Sequence, residues 1–253
     1  LLVSYLDKLF SLNGKRVIVT GVCGQLGLAI LSSLKKVGAY VVGIDVMEES
    51  PKDLDEYYKV DISSKEEVVQ LFRQVKMCNV LINNAGVSVF EPFSERTEKS
   101  FDYVMNVNLK GTFWCIQQYV ETFERDELSC GSIVNIGSVF GCVSPDFRNY
   151  TDCNRRNSEI YGATKAGVVQ MTKYFAVHLA DKGIRVNAVS PGGIYNEKNP
   201  QGEDFIKNYS YRCPMKRMAK VDEITGTVLF LAGNASCYIN GQNIIVDGGM
   251  TSW

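Results

Sequence analysis

Apolar, β-branched runs and helical patterns alternate along almost the whole chain. RVIVT (16–20) leads into a helical pattern from Gln25 to Lys36, after which come YVVGID (40–45) and YYKVD (57–61). A second helical pattern near Ser64 to Lys76 precedes VLINNAG (80–86), and longer ones flank SIVNIGS (132–138). IRVNAVSPGG (184–193) and NIIVDGG (243–249) complete the series. Runs that are apolar throughout, rather than alternating with polar residues, belong to strands buried on both faces. Strands separated by helices of this length pair in parallel through crossovers. The pattern therefore predicts an α/β fold: one doubly wound, seven-stranded parallel sheet with helices on both faces.

Neither a composition break, an internal repeat nor a low-complexity tract marks a second domain, so 1–253 reads as a single domain with 1–13 as a short lead-in helix. Two polar stretches interrupt the alternation, at 141–160 and 194–218. Long polar segments in a compact domain serve as binding loops or lids, and both follow strands whose C-terminal ends should face a ligand crevice. The segment 194–218 is the expected substrate lid.

Composition narrows the partner. The chain is 45% hydrophobic and 22% charged, and its 27 Lys and Arg balance 28 Asp and Glu without a basic block. That leaves no electrostatic footprint for nucleic acid or an anionic membrane, so the partner should be a small molecule. Eight cysteines lie scattered with no C-x-x-C pair, which argues against a zinc site or redox dithiol; no metal is expected. Reduced thiols, no apolar run of membrane-spanning length and no signal-peptide pattern in LLVSYLDKLF point to a cytoplasmic protein.

Between the first strand and first helix lies VIVTGVCGQLGLAI, with glycines at 21, 24 and 27. In a Rossmann-type unit Gly21 can take the tight turn and Gly24 can let backbone approach a pyrophosphate. Gly27 can permit close helix packing, and Gln25 and Leu26 present helix N–H groups to the anion. The triplet alone serves equally well as a structural turn. Asp45 ends the second strand where an acid can bond the adenosine ribose hydroxyls; as a bare strand-end acid it could also be a cap or a solvated residue. Asp61, with Ile62 beside it, follows the third strand and either bonds the adenine amine or caps the next helix. A carboxylate at Asp45 and no cation in the turn favour NAD over NADP.

Downstream, Tyr161 and Lys165 in SEIYGATKAG stand i and i+4, so a helix puts both on one face. To work as an acid and base near neutrality a tyrosine must lose about three units from its ordinary value near 10, roughly 4 kcal/mol. A nearby ammonium, aided by an oxidised nicotinamide, can supply that; a neutral hydrogen bond cannot. Ser138, ending SIVNIGS, could hold the substrate oxygen. Arg148, Arg155 and Arg156 precede Tyr161 and either fork onto a phosphate or carboxylate of the substrate or belong to a solvated hairpin. The single histidine, His178, and Trp114 read as structural.

TGVCGQLG (20–27), NNAG (83–86), Asn108 in NLKG, Ser138 in IGS, YGATK (161–165) and PGG (191–193) together resemble the short-chain dehydrogenase/reductase family over almost the whole chain. The resemblance implies that Tyr161 donates or accepts the proton, Lys165 holds the nicotinamide ribose and lowers the tyrosine pKa, and Ser138 orients the carbonyl. Asn108 would support a water leading to the lysine. It also implies that Asn84, Ala85 and Gly86 line the adenosine and ribose and Pro191, Gly192 and Ile194 the nicotinamide, in a homodimer or homotetramer. Two features depart from the family's shorter members. Gln25 stands where their middle glycine does, giving a glycine spacing similar to that of longer, sugar-nucleotide-modifying members, and the stretch from Ser138 to Tyr161 is long. The expected function is interconversion of a secondary alcohol and a ketone with NAD, on a polar substrate such as a sugar, sugar phosphate or nucleotide sugar. A 3-oxoacyl-thioester reductase, a sugar-nucleotide dehydratase or epimerase and a non-catalytic nucleotide sensor are the alternatives.

Overall fold

In chain order, the computed structural model contains α1 (Leu2–Phe10), β1 (Arg16–Thr20), α2 (Gln25–Lys36), β2 (Tyr40–Asp45), β3 (Glu56–Lys59), α3 (Lys65–Gln74) and β4 (Val80–Asn83). Next come α4 (Glu98–Met105), α5 (Thr112–Arg125), β5 (Gly131–Ile136), α6 (Glu159–His178), β6 (Ile184–Pro191), α7 (Glu203–Arg212), α8 (Asp222–Ala232) and β7 (Asn243–Val246). The structure describes residues 2–76, 78–151 and 157–253. All seven strands form one sheet in the order β3-β2-β1-β4-β5-β6-β7, and every pairing is parallel. The chain winds outward from β1 to β3, then returns to place β4 on the other side of β1. That reversal opens a crevice at the C-terminal ends of β1 and β4, where ligands of such sheets bind.

The continuous apolar runs have the cause expected of them. Along β1, Val17 and Val19 enter one core with Ile30, Leu34 and Val228, while Ile18 points to the other with Phe72, Ile116 and Tyr119. Leu81 and Ile133 divide from their neighbours Ile82 and Val134 in the same way. Successive residues thus bury opposite faces, and neither face can be polar. Helix α6 is fixed to the sheet by a buried polar chain: Asn83 donates to Asn135 (2.8 Å), and Asn135 donates to Thr172 of α6 (2.9 Å).

Two sequence expectations shift. The strand expected at 57–61 runs from Glu56 to Lys59, and the following helix is capped by Ser64, whose hydroxyl accepts from the Glu67 N–H, and not by Asp61. The segment expected to be a lid carries α7, and within it Tyr209 is buried. No helix among the described residues is long and apolar enough to cross a membrane.

Candidate active site

A cleft of about 890 Å³ lies over the crevice, and every cofactor residue named from the sequence lines it, from the glycine turn at one end to Pro191, Gly192 and Ile194 at the other. The turn is built by contact. Gly21 has φ +65°, and a Cβ there would stand 2.7 Å from the Ala85 Cα; a Cβ on Gly27 would stand 2.2 Å from the Gly21 carbonyl oxygen. Neither position admits a side chain. Gly24 differs, with an ordinary φ of −70°, and it caps α2 without a side-chain acceptor. The first-turn N–H groups of Gln25, Leu26 and Gly27 therefore have no partner within the helix and face the cleft as an anion site. Gln25, at the departure from the family's glycine, donates through its side-chain amide to the Tyr195 carbonyl (2.7 Å), joining the turn to the lid segment.

Asn84 and Ala85 hold the two central strand ends together. Their N–H groups both donate to the Thr20 hydroxyl (3.1 and 3.0 Å), and the Asn84 amide donates to the carbonyls of Thr20 (3.0 Å) and Gly21 (2.9 Å). At the end of β2 the Asp45 carboxylate accepts from Cys23 N–H in the turn (2.9 Å) and from Val46 N–H (2.8 Å). Asp61 accepts from Ser63 N–H (2.9 Å). Both acids line the cleft, and the nearby Lys59 is paired with Glu48.

The remaining residues converge at the other end. Ser158 caps α6 by accepting from the Tyr161 N–H (3.0 Å), which fixes the turn that carries the tyrosine. The Tyr161 side chain lines the cleft with Ser138; burial pushes its pKa above the ordinary value, and the Ser138 hydroxyl works against that. One helical turn on, the Lys165 ammonium donates to the Ile136 carbonyl (2.7 Å) and stands 5.7 Å from the centre of the tyrosine ring. Burial pulls its pKa from 10.5 down to about 8. In the protein alone, then, burial leaves the tyrosine above its ordinary value. Gly86 keeps the floor open, since a Cβ there would lie 3.3 Å from Lys165 Nζ and 3.5 Å from Asn108 Oδ1.

Asn108 sits in a widened, π-helical turn at 106–111 between α4 and α5. Such turns mark functional positions more often than ordinary helix does. Its amide accepts from Val87 N–H (2.8 Å) and donates to the Val87 carbonyl (2.9 Å) and Thr164 hydroxyl (3.1 Å). Its side chain thus braces the loop after β4 against α6.

Arg148 does not reach the cleft. It is 79% exposed in a short helical turn, and its guanidinium forks onto Asp146 two residues back (2.9 Å). Arg155 and Arg156 lie outside the described residues. His178 stacks on Tyr174 (4.1 Å) at the end of α6, and Trp114 packs against the core edge. A side pocket of about 450 Å³ opens beside Ser138 and Tyr161, and its walls are largely aromatic. Ser138, Asn157 and Gln201 are the non-aromatic polar side chains in its lining.

Sequence reasoning missed four contributors. Ser158 was signalled by its cap position before EIYG. Arg96 was not: its side chain is 8% exposed and joins Glu91 to Glu159 (2.9 Å each), tying the loop after β4 to the start of α6. Thr20 and the Ile136 carbonyl act through contacts across the sheet that no local pattern announces.

A family model described as enoyl-(acyl carrier protein) reductase matches residues 21–251. The chain is similar to 3-oxoacyl-(acyl-carrier-protein) reductase FabG of Thermotoga maritima, with 34% identity covering 94% of this chain and 98% of that one. Among solved structures, a short chain dehydrogenase from Leptospira borgpetersenii with bound NAD+ superposes with a TM-score of 0.88 at 37% identity, over 97% of this chain and 95% of that one. A gluconate 5-dehydrogenase from Burkholderia cenocepacia in complex with NADP and tartrate gives 0.86 at 28% identity, over 98% and 99%.

Proposed function

This chain belongs to the short-chain dehydrogenase/reductase family, oxidoreductases that act on CH–OH groups with a nicotinamide dinucleotide, and from that premise we propose that it interconverts a secondary alcohol and a ketone using NAD. The observation that carries the reading is the meeting of Ser138, Tyr161 and Lys165 where the cleft joins the side pocket. When bound, the dinucleotide supplies or removes the hydride at the carbonyl carbon. The glycine turn and the α2 N-terminus hold its pyrophosphate, and Asp45 holds the adenosine ribose. Ser138 positions the substrate oxygen. Tyr161 gives that oxygen a proton in reduction and takes it back in oxidation.

Lys165 makes the transfer feasible. With a pKa of about 8 it is mostly charged at pH 7. Its Nζ stands 5.7 Å from the tyrosine ring centre, and a charged ammonium that near favours the phenolate over the phenol. Asn108 and Ser158 are positioning residues, holding the lysine's surroundings and the tyrosine's helical turn.

The preference for NAD rests on Asp45 and Asp61, with no Lys or Arg among the described residues lining the adenosine end of the cleft. A 2′-phosphate there would meet carboxylate instead of cation. For association, exposed Phe101 and Tyr103 on α4 and Tyr174 and Val177 on α6 supply an apolar face for a homodimer or homotetramer. The test is to titrate NADH and NADPH by fluorescence, then follow absorbance at the NADH band, with product analysis alongside, for aryl ketones, ketoses, a 3-oxoacyl thioester and a nucleotide sugar. Binding of NADH about a hundredfold tighter and net oxidation with one ketone class support the reading. Tighter NADPH binding overturns the cofactor choice, and conversion of a nucleotide sugar without net NADH change overturns the reaction.

A further inference from the structure

The side pocket beside Tyr161 is assembled from three distant parts of the chain: Phe90 after β4, Phe140 and Tyr150 between β5 and α6, and Phe205 and Tyr209 on α7. Phe205 stands at the centre of the wall, with ring centres 5.0 Å from Tyr150 and 6.0 Å from Tyr209. The polar groups in this wall are mostly committed. Gln201 donates to the Ile194 carbonyl (3.0 Å) and accepts from Asn196 N–H (3.5 Å), and the Tyr209 hydroxyl accepts from Gly193 N–H (2.7 Å). Asn157, by contrast, has a buried amide oxygen with no hydrogen-bond partner. Among the described residues, no lining side chain is charged. Among the described residues, Arg148 and Arg212 both pair with Asp146.

These features select a substrate. Each hydroxyl of a sugar left without a partner here would weaken binding by roughly tenfold, and a phosphate or carboxylate would meet no cation among the described lining residues. Aromatic walls instead favour a ring, by burial and by offset or edge contacts. A volume of about 450 Å³ also lies within the range of drug-sized ligand pockets. Building on the oxidoreductase reading above, we propose that the substrate is an uncharged ketone or secondary alcohol bearing an aryl or alicyclic ring. Its oxygen lies between Ser138 and Tyr161 and its ring lies against Phe205 and Phe140. One polar substituent is accommodated, as a donor to the Asn157 amide oxygen.

Binding separates this proposal from the reaction. With the protein saturated with NAD+, 1-tetralone, fructose and acetoacetate are titrated by calorimetry, and the same compounds are then assayed with NADH. Tetralone should bind at least tenfold tighter than either polar compound. Phe205→Asp should remove at least tenfold of that affinity with NAD+ affinity unchanged, and Phe205→Leu should lose less than threefold. Tetralone binding without turnover would sustain the pocket assignment and sink the proton-transfer reading. Fructose or acetoacetate binding as tightly as tetralone, or tetralone affinity indifferent to Phe205→Asp in a protein that still binds NAD+, would overturn the assignment and leave the reaction standing.

Discussion

Lys165→Met should raise the stability of the protein while abolishing its activity. The ammonium is buried in a residue only 4% exposed and is held by one carbonyl. Its pKa is about 8 in the fold against 10.5 ordinarily. The folded chain therefore binds this proton less tightly than the unfolded chain, and carrying the charge costs the fold about 3 kcal/mol at 1.36 kcal/mol per unit. The penalty is present almost in full at pH 7 and fades as pH rises from 8 to 10.5, so the wild-type protein gains stability from this group across that window. Methionine fills similar volume without charge but leaves the Ile136 carbonyl without its side-chain donor, which returns about 1–2 kcal/mol. The net gain of about 1–2 kcal/mol corresponds to a rise in Tm of roughly 2–8 °C. Thermal denaturation of both proteins without cofactor, at pH 7, 8, 9 and 10, measures it. The variant should lead at pH 7, and the gap should narrow by pH 10. A variant less stable at pH 7, or a gap independent of pH, would refute the reasoning.

Asp45→Ala combined with Val46→Arg should shrink or reverse the preference for NADH over NADPH, read from the ratio of dissociation constants. Ser158→Ala removes the cap of α6 and should cost about 1 kcal/mol, a Tm drop of about 2–4 °C, with a fall in kcat exceeding the change in KM and recovery by Ser158→Thr. Gly27→Ala would press a Cβ to 2.2 Å from the Gly21 carbonyl oxygen; NADH affinity should fall at least tenfold, measured by fluorescence titration.

Local pattern reached much of this site because much of it is local. Tyr161 and Lys165 meet through helical spacing alone, and the glycine turn lies between a strand and helix whose apolar patterns bound it. There the tight turn expected at Gly21 has a positive φ, while Gly24 has an ordinary one. The substrate side was poorly legible. Of the arginines before Tyr161, read as either anion-binding or solvated, Arg148 gives its guanidinium to Asp146 at the surface, and Arg155 and Arg156 lie outside the described residues. The aromatic wall draws residues from segments tens of positions apart, and each of those segments alone looks like an ordinary loop or lid. Arg96 likewise gains its place only when the loop after β4 packs on α6.

Whether Tyr161 moves the proton is tested most directly by comparing Tyr161→Phe with the wild-type protein in NADH oxidation, using whichever ketone of the panel is turned over best, alongside NADH titration of both. Phenylalanine removes the hydroxyl and little contact area, so kcat should fall at least a hundredfold while the NADH dissociation constant changes less than threefold. A variant that keeps more than a tenth of the wild-type kcat with NADH binding unchanged would contradict the assignment of the proton to Tyr161.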